Sequence, residues 1–83
     1  MTTVSDALGI AVVHHQAGRL DEAEQIYRQI LEVDANHHDA WHLLGVAANA
    51  RGDGERAANC LVRALQLKPQ WPEAHSNLGN AFK

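Results

Sequence analysis

Apolar residues recur along this chain at helical spacing and never alternate with a period of two. Ala23, Ile26, Tyr27, Ile30 and Leu31 fall at i, i+3, i+4, i+7 and i+8, one face of a helix. Ala57, Cys60, Leu61, Ala64 and Leu65 repeat that spacing. The stretches before them carry a narrower stripe of smaller residues: Ala7, Ile10, Ala11 and His14, then Ala40, Trp41, Leu44, Gly45 and Ala48. Small side chains there let a neighbouring helix approach closely. The pattern predicts helices near 5–16, 21–33, 38–50, 55–67 and 72–82, and no strand.

The joints agree. Asp21 and Glu22 open one helix, where the dipole favours carboxylates, and Asp53 is placed to cap another. Lys68 suits the end of that helix and Pro69 stops it. Gly18 and Gly52 stand between periodic stretches, 34 residues apart. The same shift carries Val12 to Val46, Ala23 to Ala57 and Leu31 to Leu65, then Ala40 to Ala74, Leu44 to Leu78, Gly45 to Gly79 and Ala47 to Ala81. A fixed period of this size means stacked two-helix units. The units run 4–37 and 38–71, with a half unit at 72–83, in one domain expected to be a fragment of a longer array. Trp41, Leu44, Tyr27, Ile30, Leu61 and Leu65 are the expected core.

The middle unit, with Trp41, Leu44-Gly45, Ala48, Ala57, Leu61, Ala64 and Pro69, resembles the tetratricopeptide repeat. Ala48 and Leu61 depart from the family pattern, each by a smaller apolar residue, and His75 replaces the packing tryptophan in the third unit. The resemblance implies an all-α, right-handed superhelical solenoid of about two and a half repeats. It also implies a concave groove lined by the first helix of each unit. Its ligand-facing positions map onto Leu8, Val12, His15 and Gln16, then His42, Val46, Asn49 and Ala50, then Ser76 and Asn80. The carboxylate clamp of chaperone-binding relatives needs Lys and Asn where Leu8 and Val12 stand, so that clamp is rejected. The run from Pro72 to Ala81 resembles repeats of O-linked N-acetylglucosamine transferases. Asn77 holds a position of their asparagine ladder, but Gly9 and Leu43 break it.

Composition narrows the function. A net charge of −3 marks neither a nucleic-acid nor an anionic-membrane binder. No apolar run spans a bilayer, and the start lacks a secretory signal, so the expectation is a soluble cytoplasmic protein. The lone Cys60 lies on an apolar stripe, as a packing thiol would. Gly52-Asp53-Gly54 lies between helices, as a turn and not a phosphate loop. No nucleophile elbow or interior carboxylate pair is present, and no cofactor is implied. The leading expectation is a non-catalytic scaffold for a protein or peptide. One alternative is the N-terminal module of a multidomain glycosyltransferase. Another is a histidine metal module: His38 and His42 share a helix face, and His15 stands on the neighbouring groove helix, but spacing fixes no third ligand. Trp71 is expected to staple the last helix rather than to stand as an exposed anchor, and Arg51, Arg56 and Arg63 to be solvated. The last helix, 72–82, presents Leu78 and Phe82 without a covering helix, which predicts self-association through it.

Overall fold

The computed structural model describes residues 3–83 as five helices in succession: α1 (Val4–Gln16), α2 (Leu20–Val33), α3 (His38–Ala50), α4 (Gly54–Leu67) and α5 (Pro72–Ala81). Each bound lies within one residue of the sequence expectation, and no strand occurs among the described residues. Side-chain caps mark the starts of α1, α3 and α4. Thr3 and Asp6 bond each other's backbone N–H ahead of α1, His37 Nδ1 accepts from Ala40 N, and Asp53 Oδ1 accepts from Arg56 N. Gly18 and Gly52 turn the chain between the helices of each unit with φ of 82° and 79°, a region that L side chains rarely adopt.

Consecutive helices pack on one another, and α5 also touches α3, as stacked antiparallel pairs require. Tyr27 and Leu61 are fully buried at the centre of the two units. Around them lie Ala11, Ala23, Leu44, Ala47 and Cys60 on one side, and Ala48 and Ala57 on the other. Burial pushes the Cys60 thiol above its ordinary value, as befits a packing group. Gly45 is a contact and not a hinge. A Cβ there would stand 2.7 Å from Leu61 Cγ, so the glycine is the notch into which α4 lays its leucine.

Four expectations need correction. Trp41 and Leu65 are half-buried rather than core. Trp41 sits at the rim because its indole N–H must be satisfied: it donates to the Ala35 carbonyl at 2.8 Å while the Arg63 guanidinium lies 5.7 Å from the ring centroid. One period on, His75 makes the matching contact, its Nε2 standing 3.0 Å from the Pro69 carbonyl. Leu65 shares its partial exposure with Leu31, its equivalent one unit earlier, so the position itself is peripheral. Arg51 and Arg56 are not merely solvated: they flank Glu24, which is only 4% exposed. Arg56 Nη2 donates to Glu24 Oε1 at 2.9 Å, and Arg51 Nη1 lies 3.1 Å from Oε2 and also pairs with Asp21. Trp71 precedes α5, but its aromatic partners are on α3, so it braces the third unit against the second.

Candidate peptide-binding groove

The first helices of the units carry the predicted ligand-facing positions. On α1, Leu8 and Val12 are half-buried and Gln16 is exposed. Leu8 also packs against the core, so it serves the fold as well as the surface. His15 is half-buried, and its Nδ1 is hydrogen-bonded to the Tyr27 hydroxyl at 3.1 Å. Burial pushes His15 below the ordinary imidazole value, with Glu24 opposing, and pushes Tyr27 up to about 12.

On α3, Val46 and Asn49 are half-buried and Ala50 is exposed, whereas His42 is buried, 7% exposed. His42 is therefore buried beneath this face and not a free contact. Trp71 covers it, ring centroids 4.4 Å apart, and meets His38 edge-on at 5.4 Å. Lys68 Nζ lies 4.6 Å from the Trp71 ring centroid. On α5, Ser76 and Asn80 are exposed and Asn77 is half-buried. The Asn77 amide donates to His42 Nε2 at 2.9 Å, while Asn49 Nδ2 donates to the Asn77 carbonyl at 3.1 Å. These two bonds tie α5 to α3. Just beyond them a polar depression of about 290 Å³ is lined by Asn49, Gly52, Gly54, Asn80, Ala81 and Lys83.

The metal candidates do not converge. His15 is engaged by Tyr27 and His42 by Asn77, and His38 and His42 share Trp71. His38 Nδ1 stands 3.3 Å from Asp39 Oδ1 in a geometry that makes no hydrogen bond. No group of three His, Cys, Asp or Glu side chains suited to a metal forms among the described residues.

The His42 bond has a pH consequence. Its Nε2 accepts from Asn77, so the imidazole is neutral there. Burial holds its pKa below the ordinary value. Glu73 on α5 and Asp39 on α3 oppose this, and Lys68 reinforces it. A histidine whose folded pKa lies below its unfolded value of about 6.5 stabilises the fold above that pH and withdraws the contribution as pH falls through it. Tm is therefore expected to fall between pH 7.5 and 5.5, and the fall to be shallower in His42→Gln. An equal slope in that variant would assign the titration elsewhere.

A model of the tetratricopeptide repeat family matches residues 14–81, most of the chain. The chain belongs to the tetratricopeptide-repeat family. Its similar proteins include tetratricopeptide repeat protein 7B of Mus musculus, 35% identical over 71 residues that make up 86% of this chain and 8% of that protein. The Homo sapiens protein 7B is 34% identical over the same shares. Among solved structures, a mutant O-GlcNAc transferase of Thermobaculum terrenum superimposes with a TM-score of 0.91 at 30% identity, over 99% of this chain and 17% of that one. The chain thus corresponds to a small part of each. The match supports the solenoid and the likeness to O-GlcNAc transferase repeats. Tetratricopeptide repeats are in general protein-interaction scaffolds, and no helix of the described residues is long and apolar enough to cross a membrane.

Proposed function

We propose that this chain is a non-catalytic scaffold that takes an extended or helical polypeptide segment against the exposed sides of α1, α3 and α5. The supporting observation is the convergence of Asn49 and Asn80, two positions assigned to ligand contact, on one shallow polar depression. The α3–α5 tie through Asn77 holds those helices in register, so little ordering is needed on binding. Half-buried Val12 and Val46 supply apolar contact, and the amides supply hydrogen bonds to peptide backbone.

The test is a peptide-library selection on the whole chain, with hits measured by calorimetry. Val46→Asp and Asn80→Ala are expected to weaken the selected peptide by about tenfold or more, equivalent to about 1.4 kcal/mol, with unchanged helicity. Val46 is a cleaner probe than Leu8, whose core contact makes Leu8→Asp destabilising. Loss of helicity in Val46→Asp would show that position to be core and remove the assignment.

A second reading draws on the O-GlcNAc transferase match: the chain serves as a repeat module within a longer glycosyltransferase. The reading frame that encodes it decides. A glycosyltransferase domain in the same polypeptide supports this reading, and its absence there removes it.

A further inference from the structure

The two junctions between units use the same positions with different chemistry. At the first, Leu8 and Leu43 both pack against the apolar cluster around Tyr27. One period on, those positions hold His42 and Asn77, and the contact is the 2.9 Å hydrogen bond from the Asn77 amide to His42 Nε2. The residues around the pair change too. His15 becomes Asn49, which donates to the Asn77 carbonyl, and His37 becomes Trp71, which lies against the His42 ring. A leucine pair holds a junction at any pH. The second junction has exchanged it for a titratable ring that is only 7% exposed.

We propose that the His42–Asn77 pair makes the second junction a pH-sensitive joint, at which protonation of His42 frees α5 from α3 while α1–α4 stay folded. The imidazole Nε2 has a single lone pair, and the amide N–H occupies it. Protonation turns that acceptor into a donor facing a donor. Asp39 on α3 and Glu73 on α5 favour the charged ring, and Lys68 at the end of α4 opposes it, but burial is the largest influence and keeps the ring neutral. The separation from α1–α4 follows from the packing. Those four helices share the cluster of Ala11, Ala23, Tyr27, Leu44, Ala47 and Cys60, to which α5 contributes nothing. Leu78 and Ala81 of α5 join only the smaller cluster of Ala48, Ala57 and Leu61. The joint stands whether or not a peptide binds the chain, because it concerns how the units meet.

The test is hydrogen–deuterium exchange of the whole chain followed by NMR, each rate divided by the intrinsic rate at that pH. Protection of amides 74–80 in α5 is expected to fall about threefold or more between pH 7.5 and 5.5, as the ring of the open form, with a pKa of about 6.5, takes up a proton that the closed form resists. At each pH it should lie below the protection of amides 57–64 in α4, which marks the opening as local. His42→Leu with Asn77→Leu restores the pair of the first junction and should make α5 protection independent of pH. His42→Gln should do the same by removing the titration alone, so the result does not depend on the leucine pair folding. His38→Gln and His75→Gln are the controls, since His38 shares Trp71 and His75 Nε2 stands by the Pro69 carbonyl, and both should keep the response. Three results would overturn the proposal. Constant α5 protection would mean that Asn77 turns its amide and accepts from the imidazolium, so the bond survives. Equal protection in α5 and α4 would mean that α5 leaves only when the whole chain unfolds. A response that persists in His42→Gln, or vanishes in either control, would belong to another group.

Discussion

Leu61→Ala is expected to destabilise the chain by about 3–4 kcal/mol, within the range measured for buried leucines. An 83-residue domain holds only about 4–12 kcal/mol in total, so the loss is a large share. Leu61 is fully buried against Ala48 and Ala57, and its Cγ occupies the notch over Gly45. Gly45→Ala would place a methyl 2.7 Å from that carbon and 3.3 Å from the Ala57 carbonyl oxygen, which belongs to backbone and gives little. Overpacking costs about 1–3 kcal/mol, and the helix preference of alanine returns about 1. A net loss of up to about 2 kcal/mol follows. The double variant is the sharper measurement. Once Leu61 is truncated, the new methyl has room, so the two losses should fall short of additivity by about 1 kcal/mol. Urea midpoints at unchanged m-value give the cycle. Strict additivity would mean that the glycine notch does not position Leu61.

The fold was legible because its determinants are local and repeated. Glycines 34 residues apart proved to be the two left-handed turns, Asp53 proved to be a cap, and the i, i+3, i+4 stripes proved to hold Tyr27 and Leu61. The contacts that individualise this chain were not legible, because they break the period. Glu24 corresponds to Ala58, Arg51 to Ala17 and Arg56 to Glu22, so comparing units could not reveal a buried carboxylate held by two arginines. The one local hint is that Glu24 adjoins Ala23, the first residue of the buried stripe.

On the first helices of the units, faces were legible and contacts were not. Helical spacing put His38 and His42 on one side of α3, but what they share is Trp71 from the turn before α5. No spacing rule folds that indole back by a whole unit. Asn77 took its place through the family resemblance. Its amide is nevertheless engaged by His42, whose equivalents are Leu8 and Ser76, so the bond is peculiar to this pair of units.

Removing both arginines beside Glu24 is expected to cost more than removing Glu24 itself. In Glu24→Leu the buried carboxylate disappears, Arg51 keeps Asp21, and Arg56 keeps Asp53 at 3.7 Å. Both guanidiniums are more than a third exposed and hydrate readily, so stability should stay within about 1 kcal/mol of the parent. In Arg51→Met with Arg56→Met, the Glu24 carboxylate, only 4% exposed in the parent, loses both counter-ions. Stranding a buried charge costs about 3–5 kcal/mol. The discriminating measurement adds Glu24→Leu to that double variant. If the stranded carboxylate is the cause, the triple variant recovers most of the lost urea midpoint although it contains none of the three original charges. A triple variant as unstable as the double would place the arginines' contribution in the packing of their aliphatic stems between the two units. Glu24 would then be a passenger in an interface held by hydrocarbon.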